Sequence, residues 1–368
     1  MTIASPHLPL INDIQQNCDI SDARDHGIYS MCTMVLKLRN LYKWEKGVEP
    51  WAEPEAADLL DWIDAKEKYW QTIAARDYRS LTLAGKRVAP LDLSTVNTLL
   101  PETLFYGAGF GRSLKTVFFL AEQKERFTVA GCPVVVLDTE LAREMASPFA
   151  MVQEGLIVIR SQSLRYFFWD QIQEVRSSCR ISLKEALAPY GGVTSEGELH
   201  LERLRQSLDT IVRQERDLFI YHEVGEMLEG ALPTEILQEI IGRFPGSVLE
   251  FVSRAVKDLL ADTHPQGLLA FTVREKRHTT LSFYLAFLDG LRAKLFGEIH
   301  TGYRAYLADR DWRHIEGARS DCRRRLQEIA IRIGEIAGRI DEASDEEIQQ
   351  AFASEVVVPL GLELPPRP

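Results

Sequence analysis

Cysteine is scarce in this chain. Its five cysteines, Cys18, Cys32, Cys132, Cys179 and Cys322, are odd in number, widely spaced and free of any C-x-x-C pair. That excludes a disulfide framework and points to reduced thiols in a cytosol. Long hydrophobic runs are missing too: no apolar stretch approaches the roughly 18 residues a membrane-spanning helix needs. The opening MTIASPHLPLINDIQQ has no basic segment leading into an apolar one, so no signal peptide and a cytoplasmic location are expected. An excess of positive charge is absent, the formal net charge being -11. Bulk attraction to nucleic acid or an anionic membrane is thereby excluded. The most basic segment, 301–340, holds nine Arg and no Lys, but six acidic residues are interleaved with them. Neither nucleic acid nor membrane is an expected partner. There is no G-x-S-x-G nucleophile signature and no internal repeat of 20–50 residues.

What is present is ample apolar material, 45% of 368 residues, enough for a sizeable core in about two domains. Apolar residues recur at helical spacing over 21–45, 54–76, 163–178, 182–188, 196–230, 233–243, 246–261, 266–297, 301–308 and 311–342. Shorter helices are expected at 113–124 and 138–147. β-branched runs at 126–130, 134–138 and 156–160 read as strands. The fold class is therefore mainly α (α+β): an irregular helical bundle with a small antiparallel β-meander inserted near 126–160. Pro189-Tyr-Gly-Gly192 is the clearest break, dividing an N-terminal region, 1–192, from a C-terminal bundle, 193–368. The 311–342 helix carries Ile315, Ala318, Cys322, Leu326, Ile329, Ile333, Ile336 and Ile340 at three- and four-residue steps. Such a stripe packs a core or forms a homodimer seam.

The informative exception lies in 196–230. An α-helix turns about 100° per residue, and the stripe Leu204, Leu208, Ile211, Leu218 and Phe219 continues onto His222 and Glu226, with Glu215 in its middle and Glu229 beyond. Buried polar groups are costly unless paired or bound to metal. His222 and Glu226, one turn apart, are placed to share one divalent ion such as zinc, iron or manganese, with Glu223 beside it as general base. The string is similar to the H-E-x-x-H of zincin metallopeptidases, with Glu in place of the second His. Further ligands are expected from Glu275 and His278, an E-x-x-H pair, or from Glu298 and His300. That pattern is similar to carboxylate-bridged di-metal bundles. The competing readings are a structural cluster, with Glu215 and Glu226 paired to an Arg such as Arg254, Arg274 or Arg277, and a metal-free acid–base site.

Other constellations carry less chemistry. Gly107-x-Gly109-x-Gly111 before Arg112 and Lys115 reads as a loop that could cradle an anion at a helix start. Asp25 and Arg39 are expected to pair near Tyr42, His26 to lie at the surface, and Cys32 and Cys322 to be core thiols. Cys132, at a turn, is expected to be more exposed. Cys18-Asp-Ile-Ser-Asp-Ala-Arg24 together with Tyr221-His-Glu-Val-Gly-Glu226 resembles an uncharacterised bacterial protein family of unknown function. The resemblance covers most of the chain and implies no activity. Two functions remain open: a metal-dependent, hydrolytic enzyme, or a non-catalytic regulatory or assembly protein with a structural polar cluster.

Overall fold

The computed structural model describes residues 8–111, 114–174 and 180–362. Arg112 and Cys179, both singled out above, lie outside them. The chain divides into two compact units, Met1–Gln173 with Arg205–Arg213, and Glu174–Leu204 with Gln214–Pro368. It is mainly α, with a small inserted sheet, as the patterning indicates.

The first unit contains α1 (Leu8–Asp25), α2 (Met31–Glu45), α3 (Ala56–Ile73), the hairpin β1 (Leu81–Leu83) and β2 (Lys86–Val88), and α4 (Leu93–Leu99). Then come β3 (Leu104–Phe110), β4 (Thr116–Val129), β5 (Cys132–Arg143), β6 (Ala150–Gln153), β7 (Leu156–Arg160) and α5 (Ser161–Gln173). The single first helix expected over 21–45 is broken, because Ser30 caps a fresh start by accepting from Thr33 N–H. The main sheet runs β3-β4-β5-β7-β6. It is antiparallel except for the parallel β5–β7 pair, so it is a mixed sheet rather than a pure meander.

Three expectations fail here for one reason. The helices expected at 113–124 and 138–147 are strands β4 and β5, and the glycine loop is strand β3. Leu, Ala, Glu, Gln and Lys favour helix only weakly, and tertiary burial overrides them. Val117–Ala121 is buried on both faces, as a covered central strand requires. One face carries Tyr106, Ala108, Phe118 and Leu120 against α1, α4 and the β1–β2 hairpin. The other carries Phe105, Phe119, Ala121, Val135, Leu137 and Val158. Gly107 lies opposite Phe119, where a Cβ would collide with the Phe119 ring.

The β1–β2, β4–β5 and β6–β7 turns are Ala84-Gly85, Ala130-Gly131 and Glu154-Gly155, with positive φ at both residues. That is the two-residue turn whose twist matches a hairpin. The usual Asn-Gly or Asp-Gly signal is absent, so the sequence hides it. Cys32 is exposed and Cys132 buried, the reverse of expectation. Arg39 pairs with Asp170 at 3.0 Å and Glu53 at 3.6 Å, not with Asp25.

The second unit contains α6 (Arg180–Leu187), part of α7 (Leu201–Glu215), α8 (Asp217–Leu228), α9 (Thr234–Arg243), α10 (Val248–Thr263) and α11 (Leu268–Arg274). It continues with α12 (His278–Phe287), α13 (Gly290–Leu295), α14 (Gly297–Asp309), α15 (Arg313–Ala337) and α16 (Asp345–Phe352). The long 266–297 pattern resolves into three helices, with positive φ at Lys276 and Gly290 between them. The central helix is α10, twelve of whose sixteen residues are buried, and α8, α9, α11, α13 and α15 pack on it. The Ile/Leu stripe of α15 is buried within this unit, which leaves it covered by the chain's own helices.

Candidate functional site

A close helix crossing builds the site. A Cβ on Gly225 of α8 would strike the carbonyl of Ala261 on α10, and one on Gly267 would meet the same carbonyl. Glycine lets the two backbones approach, and the turn before Gly225 is thereby laid against the last turns of α10. His222 Nδ1 lies 2.7 Å from Asp262 Oδ1. An ionised carboxylate only accepts, so Nδ1 is the donor. From α12, the Tyr284 hydroxyl donates to Asp262 Oδ2 at 3.1 Å, fixing the carboxylate that in turn fixes the imidazole. The Asp262 side chain is 2% exposed, whereas the His222 side chain is 21% exposed.

Around this pair lies a ring of charge. Glu223 is buried on α8, Asp258 sits one turn before Asp262 on α10, and Arg292 on α13 interacts electrostatically with both aspartates. At the edge, Glu226 lies 3.3 Å from Lys257 Nζ, which donates to Thr234 Oγ1 at 2.6 Å. Burial pulls the His222 pKa down, but the charge and hydrogen bond of Asp262, with Glu223 and Asp258, outweigh it and lift it to about 10. Burial pushes Glu223 up to about 7, against the pull of His222 and with the help of Glu226, Asp258 and Asp262. Asp258 is raised by burial against the opposing charges of His222 and Arg292. One group is held charged and its neighbour is poised near neutrality, the pattern by which acid and base roles are set.

The expected ligand residues are not gathered into one set. His222 and Glu226 lie on the cluster's α8 face. Glu275 is half-exposed and paired with Arg274 at 2.8 Å. His278 is held elsewhere: Nε2 lies 3.1 Å from Glu185 and Nδ1 3.2 Å from the Tyr306 hydroxyl, with Arg310 against the ring. Burial and the Arg310 charge lower its pKa. Glu298 pairs with Arg325 at 2.8 Å, and His300 is exposed. Among the described residues, the metal-type side chains whose ligand atoms all lie within 4.8 Å of one another are Asp309, Asp311 and His314. That group closes on itself at the start of α15, through His314 to Asp309 at 2.8 Å and Arg313 to Asp311 at 2.7 Å.

The remaining polar members of the α7–α8 stripe are satisfied structurally. Glu215 is fully buried and accepts from Tyr190 at 2.7 Å and Thr280 at 2.6 Å. Glu229 pairs with Arg323 at 2.7 Å. The sequence reading missed Asp258, Asp262, Tyr284 and Arg292. The available signal was Asp258-x-x-x-Asp262: two acids one turn apart on α10, a helix buried along most of its length.

A second buried polar network, in the first unit, was also missed. Arg160 donates to both oxygens of Glu140, at 3.0 and 3.1 Å, and to Glu144 at 2.9 Å. Ser163 also donates to Glu140, at 2.6 Å. Lys115 pairs with Asp22 at 2.5 Å. The 18–24 segment of α1 docks β4 by this means. Cys18 Sγ donates to Phe118 O at 3.0 Å, Ser21 donates to Thr116 O, and Asp22 also accepts from Met145 N–H at 2.8 Å. These groups are sealed from solvent, with acids Asp22, Glu140 and Glu144 facing bases Lys115, Arg143 and Arg160. Such balance specifies a packing arrangement more than it stabilises one.

Comparison with known proteins places both halves of the chain. Residues 9–160 match the N-terminal domain, and residues 165–355 the C-terminal domain, of a family of unknown function (DUF6866). No curated protein and no solved structure matches.

Proposed function

Since this chain belongs to the family of unknown function DUF6866, which brings no activity with it, we propose a function from its own residues. The α8–α10 cluster is a general acid–base centre acting on a small molecule, most directly in hydrolysis. Glu223 takes a proton from water, whose oxygen attacks the substrate's electrophilic carbon. His222, charged and held through Nδ1 by Asp262, gives its Nε2 proton to the leaving group. Asp262 and Tyr284 keep the ring aimed and do not exchange protons with substrate, the role of the carboxylate in a catalytic triad. The observation that carries this reading is the neighbouring pair itself: a buried carboxyl raised to about 7 beside an imidazolium on a partly exposed side chain. Perturbed pairs of this kind concentrate at functional sites.

A divalent metal held by His222 and Glu226 is the second reading. It is favoured by the four carboxylates, Glu223, Glu226, Asp258 and Asp262, around one imidazole. It ranks second because His222, Lys257 and Arg292 already supply compensating positive charge, and a protonated imidazole has no lone pair to give. The test is a panel of small ester and amide substrates, run before and after chelator dialysis. The first reading predicts turnover that survives the chelator and falls at least a hundredfold in Glu223→Gln, the scale of lost acid–base catalysis. Turnover abolished by the chelator and restored by zinc, iron or manganese would establish the metal instead.

A further inference from the structure

The ionic network of the first unit has one base more than its carboxylates answer. Asp22, Glu140 and Glu144 face Lys115, Arg143 and Arg160 inside it, and all six are buried. The acids are already engaged: Asp22 with Lys115 at 2.5 Å, Glu140 and Glu144 with Arg160 at 3.0 and 2.9 Å. Lys37 on α2 is a further base at the margin. Its Nζ donates to the Ala146 carbonyl at 2.8 Å, a backbone partner and not a carboxylate. The same Nζ lies over the Tyr29 ring, 5.2 Å from the centroid, and Lys115 Nζ lies 5.8 Å from that centroid. Two ammonium groups gathered at one ring disfavour each other's charge, and Lys115 is the one that an aspartate neutralises.

Lys37 is therefore the surplus cation, and losing its proton relieves the conflict. Burial first, then the charges of Arg143 and Lys115, pull its pKa down to about 8 against the opposing pull of Glu144 and Asp22. A desolvated lysine beside other cations is an activated nucleophile. Lys37 is also partly exposed where the six network groups are buried, so it is the base that a small molecule from solvent can meet. Charge balance selects the electrophile. Condensation with a neutral aldehyde adds no anion, so a protonated adduct would restore the surplus. A 2-oxo acid brings its own carboxylate: Lys37 stays cationic as an iminium, and the new anion answers it.

We propose that Lys37 binds a small 2-oxo acid covalently, as an iminium on Nζ. The Nζ lone pair attacks the carbonyl carbon, and the C=O π pair moves to oxygen. One N–H proton and one proton from solvent then leave with that oxygen as water, and the C=N bond closes. Nothing in this inference depends on the His222 cluster.

Reductive trapping of the full chain with glyoxylate and sodium cyanoborohydride at pH 8, read by peptide mass spectrometry, tests it. Lys37 is labelled at least about tenfold faster than the exposed Lys86, since roughly half of an amine titrating near 8 is neutral there, against under about one in a hundred for a lysine at its ordinary value. Acetaldehyde, a two-carbon aldehyde without the carboxylate, prefers Lys37 over Lys86 several-fold less than glyoxylate does. Lys37→Arg, which keeps the charge and a donor for Ala146, loses this adduct and leaves Lys86 labelling unchanged. Glyoxylate labelling of wild-type Lys37 no faster than Lys86 overturns the proposal. So does an equal preference for Lys37 with both aldehydes.

Discussion

Between its ordinary value near 4.5 and about 7, Glu223 keeps in the folded protein a proton that the unfolded chain has released. The folded state binds more protons over that window, so stability falls as pH rises through it. His222 acts in the same direction at higher pH. Its raised pKa gives stability fully present below 6.5 and lost as pH climbs through about 10. Glu223→Gln keeps the shape and removes the charge. Its unfolding free energy should match wild type near pH 4.5 and exceed it by on the order of 3 kcal/mol at pH 8, since each pKa unit is worth about 1.4 kcal/mol. Urea titrations at the two pH values measure this. A variant equally destabilised at both would mean that Glu223 is ionised and paired in the fold.

Among elements, the α8–α10 crossing is the feature on which the site depends. Alanine is a better helix former than glycine by about 1 kcal/mol, yet at Gly225 its methyl meets a backbone carbonyl that cannot swing aside. Gly225→Ala should therefore destabilise the protein by about 2 kcal/mol, the range of overpacked positions. It should also loosen the His222–Asp262 bond. Thermal melting combined with the His222 titration checks both effects. A more stable variant with an unchanged imidazole would show that the helices are not in close contact. Helices were the readable elements, because their apolar stripes face a core that lies within one unit. Strands β3 and β4 were not readable. Gly107 of β3 makes room for the Phe119 ring rather than forming a loop, and the helix-favouring residues of β4 are overruled by burial on both faces.

For the molecule as a whole, the sequence disclosed a mainly helical chain with a small inserted sheet, and one helix face with misplaced polarity. It singled out three members of the candidate cluster. His222, Glu223 and Glu226 stand on a single helix whose periodicity exposes them. Asp258, Asp262, Tyr284 and Arg292 come from three other helices, and no spacing within α8 announces them. The account stands on the claim that these pieces form one proton-holding centre. The most direct measurement is a nitrogen-15 NMR titration of the His222 imidazole, in wild type and in Asp262→Asn. The account predicts that the wild-type ring stays protonated past pH 9, and that its titration falls by two or more pH units once the Asp262 charge is removed. A wild-type ring that titrates near 6.5, unmoved by the substitution, would contradict it.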